Sequence, residues 1–321
     1  DLTNQTIEIV KLLDEALWKI DERFRNNKWK LFNDYHYFIK ISFDQLFYYS
    51  YLIQEVISKF KPSEIIIFDS KEIVIDKNFL IDSKISIIKY LLQSQTITSN
   101  RVKISLMSLD HKKKSKIKYY KKFKGIFRNM LKNTYYKIIF LINLYTTKPK
   151  YLSIGSLEVL KYKELYPKES KLFLSFHHQN INKKNFIKNW DLFESFMNYL
   201  RKETNFYELI KCKNISFELI FNEILFKLTK ELDFLLYELN NTKKIIEKVK
   251  PKCVIFHTMA PHSPSTIVFR KNCYDSKIPF ATWSHGGYGL THSLAGYDVT
   301  DFRFCKNQIS YGSFLKDLMN N

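Results

Sequence analysis

Apolar residues recur every three and four positions through the first 60 residues. The segments at 7–20 (IEIVKLLDEALWKI) and 43–60 (FDQLFYYSYLIQEVISKF) have this spacing, which predicts amphipathic helices. The second helix is predicted to end just before Pro62. The helical period returns later in the chain. The pattern therefore predicts a helical region at 1–60 and a helical insertion at about 185–249.

Short runs of β-branched and aromatic residues lie between these helical segments, and several of them close on a polar residue. They are SEIIIFDS, RVKISLMSL, YLSIGSLEVL, KLFLSFHHQ, KCVIFHT and IPFATW. Buried parallel strands have this appearance, because both faces of such a sheet are covered. Since helical patterns alternate with the runs, we expect an α/β fold. It would be a Rossmann-like, doubly wound parallel sheet over 61–321 with substantial helical additions.

The same succession of sequence patterns occurs at two places in the chain. KFKPSEIIIFDS at 59–70 and KVKPKCVIFHT at 248–258 each pass from a helix through Lys-x-Lys-Pro into an apolar strand with a polar tip. We interpret the pair as the repeated βα unit of a doubly wound sheet.

The charge of the chain is strongly positive. Its 321 residues include 52 Lys and Arg against 32 Asp and Glu, a net charge of +20. Such a balance favours a polyanionic partner: nucleic acid, an anionic membrane face or a phosphorylated substrate. The abundance of Lys, Asn, Ile, Phe and Tyr also indicates an AT-rich genome, which accounts for part of the excess.

The densest basic stretch is KKKSKIKYYKKFK, where eight lysines from Lys112 to Lys124 alternate with Ile, Tyr and Phe. This pattern predicts a basic amphipathic element on an anionic inner leaflet, with a solvated surface helix or a lysine-rich loop as the alternative. No run of about 18 apolar residues occurs, so an ordinary spanning helix is not expected in this sequence.

The four cysteines are scattered, which argues against a disulfide framework and fits a reducing cytoplasm. Cys253, His257, His262 and Cys273 are the one set that suggests a metal, but their spacing matches no common zinc pattern. We therefore expect no metal site and no cofactor.

Glycine is concentrated in the stretch IPFATWSHGGYGLTHSLAGYD at 278–298. The chain has only seven glycines, and four of them fall within eleven residues here: Gly286, Gly287, Gly289 and Gly296. Glycine serves where the backbone needs positive φ or where another group approaches it closely. The stretch is thus either a ligand-binding turn or simply a loop.

Three polar residues follow predicted strands: Asp69, His257 and His285. In an open parallel sheet, ligands bind beyond the carboxyl ends of the strands, where loops and helix N-termini collect. A His at such a strand end can accept a proton from an attacking hydroxyl at neutral pH. We expect His285 to be that base. A buried, hydrogen-bonded role is the alternative for His257.

The segments IPFATWSHGGYG and YDVTDFRFCKNQISYGSFLKDL resemble the end of the N-terminal domain of GT-B glycosyltransferases of bacterial surface-polysaccharide synthesis. Those families share a strand, a His-Gly turn and an aromatic-Asp segment before a Tyr-Gly-x-x-x-x-x-Leu helix. Thr282-Trp283-x-His285-Gly286 is also similar to the Thr-Trp-His-Gly stretch of the CDP-glycerol glycerophosphotransferase family, with Ser284 inserted. The resemblance covers about 250–318.

The resemblance implies a metal-independent transferase of capsule or O-antigen synthesis, in which His285 is the catalytic base. The donor-facing loop would be shaped by Gly286, Gly287 and Gly289, and the acceptor cleft lined by Asp69, His257 and His262. It further implies a second Rossmann-like domain, expected after residue 321, which holds most of the donor.

The sequence as a whole therefore predicts a glycosyltransferase that moves a sugar from a nucleotide-activated donor to a glycan or lipid-linked acceptor. It would be cytoplasmic and peripheral on the inner membrane. Two alternatives stay open: a non-catalytic nucleic-acid or polyanion-binding protein, and a nucleotide-sugar epimerase of GT-B-like fold. Because the lysines are dispersed, no specific nucleic-acid partner is expected.

Overall fold

Amphipathic segments form most of the regular structure, in a mixed α/β fold that is mostly helical. The computed structural model describes residues 2–67, 84–93, 103–106, 151–154, 173–176, 190–212, 215–256, 264–283 and 307–309, with single positions at 134, 138 and 142. The helices of this part are α1 (Leu2–Ile20), α2 (Glu22–Asn26), α3 (Leu31–Asp34), α4 (His36–Phe60), α5 (Lys84–Gln93), α6 (Trp190–Glu203), α7 (Phe206–Leu209), α8 (Glu218–Thr229), α9 (Leu232–Val249) and α10 (Pro264–Asp275). The strands are β1 (Glu64–Ile67), β2 (Lys103–Leu106), β3 (Tyr151–Ile154), β4 (Phe173–Phe176), β5 (Lys211–Cys212), β6 (Ile215–Ser216), β7 (Cys253–Phe256), β8 (Phe280–Trp283) and β9 (Asn307–Ile309).

The chain divides into two compact units. Unit 1 comprises residues 1–112 and 187–232, and unit 2 comprises residues 113–186 and 233–321. The helical stretch at 185–249 is thus shared between the units, with the division after Leu232, the first residue of α9. The domain boundary expected near residue 60 and the further domain expected after residue 321 stay predictions.

Unit 1 is built mainly from helices whose apolar stripes face each other. Leu13 of α1, Phe43 of α4 and Phe196 of α6 are fully buried. The ring of Phe43 meets the rings of Phe217 and Phe221 edge-on, with centroids 6.2 and 6.0 Å away. Aromatic rings prefer such edge-to-face contacts. The helices predicted at 7–20 and 43–60 are therefore confirmed, and their apolar positions form the core of this unit.

A buried carboxylate holds the start of α3. Asp14 accepts hydrogen bonds from the backbone amides of Phe32 and Asn33, at 2.8 and 3.0 Å. Nearby, the indole of Trp29 donates to Asp34 at 2.8 Å. Burial raises the pKa of the Asp14 carboxyl to about 8, although the two amide bonds oppose this shift. Unit 1 thus uses some of its acids inside the core.

The sheet of unit 2 has five parallel strands in the order β4-β3-β7-β8-β9. The buried residues Leu152, Val254 and Phe256 contribute its core. Strands β3, β4, β7 and β8 match runs that the sequence predicts. Strand β9 does not, because it is short and polar and reads as part of a loop.

Among the described strands, β1 and β2 do not pair with the five-stranded sheet, as a single sheet over 61–321 would require. Strands β1 and β2 pair in parallel with each other, in register from Glu64 with Lys103 to Ile67 with Leu106, and form a separate sheet in unit 1. A short antiparallel pair, β5 with β6, interrupts the helical stretch that the sequence predicted. The sequence of a four-residue segment indicates that it is a strand but not which sheet it joins. Strand pairing depends on contacts between residues distant in sequence.

Lysine takes the left-handed position after four helices. Lys28, Lys61, Lys250 and Lys277 have φ of 48°, 44°, 45° and 53°. The amides of Lys61 and Lys250 donate to carbonyls four residues back, at 2.9 and 2.7 Å. This backbone conformation usually belongs to glycine. The Lys-x-Lys-Pro signals at both places therefore mark the same feature: a helix ended by a left-handed lysine, with a proline and a strand after it.

Candidate functional site

The order of the five strands in unit 2 contains one reversal. Counted along the chain, β3, β4, β7, β8 and β9 are the first to fifth strands of this sheet, and their spatial order is 2-1-3-4-5. This is the order of one common doubly wound architecture, in which ligands bind where the strand order reverses. Here the reversal falls between β3 and β7. The two strands at the reversal end at Ile154 and Phe256.

The residues that follow the strands share a chemistry. In chain order, the four residues after each of the five strands are GSLE, HHQN, HTMA, SHGG and SYGS. None of these twenty residues is Lys or Arg, while Gly, Ser and His recur. They lie outside the described residues, so the structure fixes only the strand ends from which they continue. Parallel strands bring all five continuations to one edge of the sheet.

Chain connectivity limits the distance between the two histidines. Phe256 and Thr282 are register partners on adjacent strands. His257 directly follows Phe256, and His285 comes three residues after Thr282. With about 3.8 Å between consecutive Cα atoms and about 4.8 Å between strands, their Cα atoms are at most about 20 Å apart. The strands that lead to His257 and His285 thus end at the same edge of one sheet, and both histidines lie outside the described part.

Asp69 follows a strand that belongs to a different sheet. It follows β1, which pairs with β2 in unit 1, by one intervening residue. The expectation that it shares a sheet edge with His257 and His285 therefore lacks support from the strand pairing. Its role in an acceptor cleft stays a prediction. The other expected site residues also lie outside the described residues: His262, Gly286, Gly287 and Gly289.

Helix α10 connects β7 to β8 and is firmly anchored. It begins at Pro264, which favours the first turn of a helix. The side-chain amide of Asn272, buried in this helix, donates to the Leu239 carbonyl at 2.9 Å and to the Thr242 hydroxyl at 2.6 Å, both on α9. These bonds fix α10 against its neighbour. Residues 257–263 therefore span the gap between the end of β7 and the start of a fixed helix.

Buried polar side chains also lie within the strands themselves. Ser153 and Thr282 are fully buried, each one residue before the end of its strand. The rings of Phe256 and Phe280 meet edge-on with centroids 5.9 Å apart. The carboxyl ends of β3, β7 and β8 are thus set in a packed sheet, a rigid base for the loops that continue from them.

The two described cysteines of unit 2 do not ionise readily to thiolates. Burial raises the pKa of the Cys253 thiol and, more strongly, that of Cys273. A thiol held neutral is a weak metal ligand and a weak nucleophile. Across the part of the chain that the structure describes, no group of three or more His, Cys, Asp or Glu is placed to hold a metal ion.

The segment from Lys112 to Lys124 lies outside the described residues, so its place on a membrane stays a prediction. Among the helices that the structure describes, none combines the length and the apolar character needed to cross a bilayer.

Sequence reasoning missed the residues that follow β3. Gly155 and Ser156 come directly after Ile154, beside the strand-order reversal. The signal YLSIGS was recognised as a strand with a polar end. Its position next to β7 was not readable, because strand order is not encoded in local periodicity.

Comparison of the chain with protein-family models, with curated protein sequences and with solved structures found no match.

Proposed function

We propose that the protein is a glycosyltransferase of the GT-B type that acts in bacterial surface-polysaccharide assembly. It transfers a sugar from a nucleotide-activated donor to a glycan or lipid-linked acceptor, with His285 as general base. In this proposal unit 2 is a Rossmann-like, doubly wound domain. The strand order 2-1-3-4-5 supports that assignment.

The observation that carries the proposal is the chemistry of the carboxyl edge. Five parallel strands all continue into segments that lack Lys and Arg, in a unit that is otherwise rich in lysine. Two of these segments begin at adjacent strands and contain His257 and His285. An edge that contains His and Gly but no Lys or Arg suits a site in which one imidazole moves a proton without competition from lysine side chains.

The chemistry assigned to His285 is a balanced displacement. An acceptor hydroxyl oxygen attacks the anomeric carbon of the donor, and the imidazole takes the hydroxyl proton. The bond between that carbon and the donor phosphate oxygen breaks, and the nucleotide leaves as a phosphate anion. His257 and His262 line the acceptor side. No metal or cofactor enters this scheme.

The use of glycine supports a ligand-binding role for Gly286, Gly287 and Gly289. The left-handed positions of the described residues are all taken by lysine: Lys28, Lys61, Lys250 and Lys277. This chain therefore tolerates lysine where glycine is the usual helix terminator. Four glycines within eleven residues are then better explained by close approach of a ligand to the backbone than by turn formation alone.

The proposed location is the cytoplasmic face of the inner membrane. The stretch from Lys112 to Lys124 is the proposed contact with anionic lipid, and the lipid-linked acceptor is the proposed reason for such contact.

A nucleotide screen followed by two His variants tests the proposal. Melting of the longest natural form of the chain is measured with CMP, CDP, UDP, GDP and dTDP. One of them, at about 100 times its Kd, should stabilise the protein by roughly 2.7 kcal/mol. With the donor class known, His285→Ala is expected to lower turnover about 10²- to 10⁴-fold, the usual contribution of a general base.

His292→Ala is the matched control, since it removes an imidazole from the same motif without an assigned role. It should leave turnover nearly unchanged. Retention of more than about a tenth of the activity by His285→Ala would exclude His285 as the base.

The epimerase alternative keeps the same site but needs no acceptor. Turnover of the nucleotide sugar in the absence of any acceptor, with inversion of one sugar carbon, would favour it. The polyanion-binding alternative predicts no effect of any nucleotide, and nucleic-acid affinity that falls steeply with salt.

A further inference from the structure

We infer that the amino edge of the unit 2 sheet is a docking surface for an anionic lipid bilayer. This inference concerns the edge opposite the proposed active site, and it does not depend on the transferase activity.

The positive charge of the protein lies almost entirely in one unit. Unit 1 carries 23 Lys and Arg against 22 Asp and Glu, whereas unit 2 carries 29 against 10. A field that attracts anions therefore comes from unit 2.

Within unit 2, basic residues are common just before the strands and absent just after them. In chain order, the four residues before each of the five strands are TKPK, ESKL, VKPK, SKIP and RFCK. These twenty positions hold eight basic residues and one acid, whereas the twenty positions after the strands hold no basic residue. Because all five strands are parallel, the basic positions collect at the amino edge. Adjacent strands are about 4.8 Å apart, so this edge is a row about 20 Å long.

The described members of the row are exposed. Lys250 and Lys252 lie between α9 and β7, and Lys277 lies between α10 and β8, all with exposed side chains. Lys243 and Lys244, near the end of α9, are exposed as well. The remaining basic residues of the row lie outside the described part: Lys148, Lys150, Lys171, Arg303 and Lys306.

An exposed aromatic ring accompanies these lysines. Tyr274, in the last turn of α10, is 75% exposed, the highest value among the large apolar side chains of the described residues. It precedes Lys277 by three residues. Tyrosine rings beside lysines are typical of membrane–water interfaces, where the ring enters the head-group layer and the ammonium groups meet lipid phosphates.

A lipid surface fits the row better than nucleic acid does. Seven of the eight basic residues are lysine, a flexible point charge that adapts to a fluid array of phosphates. Arginine, which binds phosphates and bases in a forked geometry, occurs once. Four-residue strands separate the amino edge from the carboxyl edge by about 13 Å.

Vesicle binding tests the inference with two matched triple variants. The unit 2 variant combines Lys250→Asn, Lys252→Gln and Lys277→Asn, since Asn tolerates positive φ. The unit 1 variant combines Lys28→Asn, Lys19→Gln and Lys61→Asn, which are also exposed and include two left-handed positions. Both remove three charges, so they differ in location alone. Co-sedimentation is measured with phosphatidylcholine vesicles and with an equimolar mixture of phosphatidylcholine and phosphatidylglycerol.

The wild-type protein should bind the mixed vesicles and not the neutral ones, and more weakly as salt rises. Each lysine near an anionic leaflet contributes roughly fivefold, so the unit 2 variant should lose about 100-fold in partitioning. The unit 1 variant should lose less than about fivefold. If the unit 2 triple variant does not fold, Lys252→Gln alone should show a loss of about fivefold.

Equal losses in the two triple variants would overturn the inference, because total charge and not the amino edge would then govern binding. Wild-type protein that does not distinguish the two vesicle types would overturn it as well. A single-stranded oligonucleotide that binds more tightly than mixed vesicles at equal phosphate concentration, and that loses affinity only with the unit 2 variant, would assign the edge to nucleic acid.

Discussion

Units 1 and 2 contain similar numbers of basic residues but very different numbers of acids. Unit 1 has 23 Lys and Arg and 22 Asp and Glu, and unit 2 has 29 and 10. Genomic drift towards lysine codons acts on both units and raises the first number in each. It does not explain why unit 2 has fewer than half as many acids. The excess of +20 is therefore a property of unit 2, set by the loss of acids.

Several acids of unit 1 also have a structural role inside the protein. Asp14 and Asp34 are buried and accept hydrogen bonds from backbone amides and an indole. Asp21 is buried and accepts from the amide and guanidinium of Arg23 at the start of α2. Asp14, Asp21 and Asp34 are thus structural parts of a helical core, whereas the described lysines Lys250, Lys252 and Lys277 of unit 2 are exposed and lie just before strands β7 and β8.

The largest expected effect is the change in stability with pH that arises from the buried Asp14. The folded pKa of Asp14 is about 8, raised by burial from its ordinary value of 3.8. Between these values the folded state binds more protons than the unfolded state. The free energy of unfolding of unit 1 should therefore fall as pH rises from about 4 to about 8, by up to about 1.4 kcal/mol per pH unit.

Asp14→Asn should flatten that pH dependence. It should also lower stability at pH 5, because one of the two α3 amides loses its acceptor. Urea unfolding followed by tryptophan fluorescence measures this, since Trp18, Trp29 and Trp190 lie in unit 1 and only Trp283 lies in unit 2. Asp191→Asn, at an exposed position, is the control for the loss of one charge. A wild-type profile that rises between pH 5 and pH 8 would contradict the account.

Replacement of the lysines that have positive φ should change stability less, and by the same amount in the two units. Lys28→Gly in unit 1 and Lys277→Gly in unit 2 should each stabilise the protein by about 1 kcal/mol, because glycine adopts positive φ without steric cost. Lys28→Ala and Lys277→Ala remove the same charge but keep a Cβ, so they should bring no gain. Thermal melting of the four variants is the measurement. A gain from alanine equal to that from glycine would mean that charge, not backbone strain, is relieved.

Local patterns predicted the elements well and their arrangement poorly. The helices at 7–20 and 43–60 and the strands before His257 and Ser284 follow from periodicity and proline, and they appear as expected. Strand β9 and the β5–β6 pair have no apolar period, so no local pattern predicts them. The separation of β1 from the five-stranded sheet depends on distant contacts, which a local pattern does not contain.

For the candidate site, too, local patterns predicted one part and not the other. The polar ends of the strands were predicted, and parallel pairing of β7 with β8 places the continuations towards His257 and His285 at one edge. The part played by the residues after β3 follows only from strand order. The contrast between an amino edge preceded by lysines and a carboxyl edge followed by no Lys or Arg likewise needs the topology. Its residues are spread over more than 150 positions and look like general composition until the five strands are aligned.

Hydrogen exchange of the longest natural form of the chain, with and without the nucleotide selected by melting, tests the central claim most directly. The account predicts slower exchange in peptides that follow β7 and β8, covering 257–263 and 284–292, and no change in the lysine-bearing peptide at 243–252. Protection confined to 243–252 or to unit 1 would contradict the assignment of the carboxyl edge as the active site.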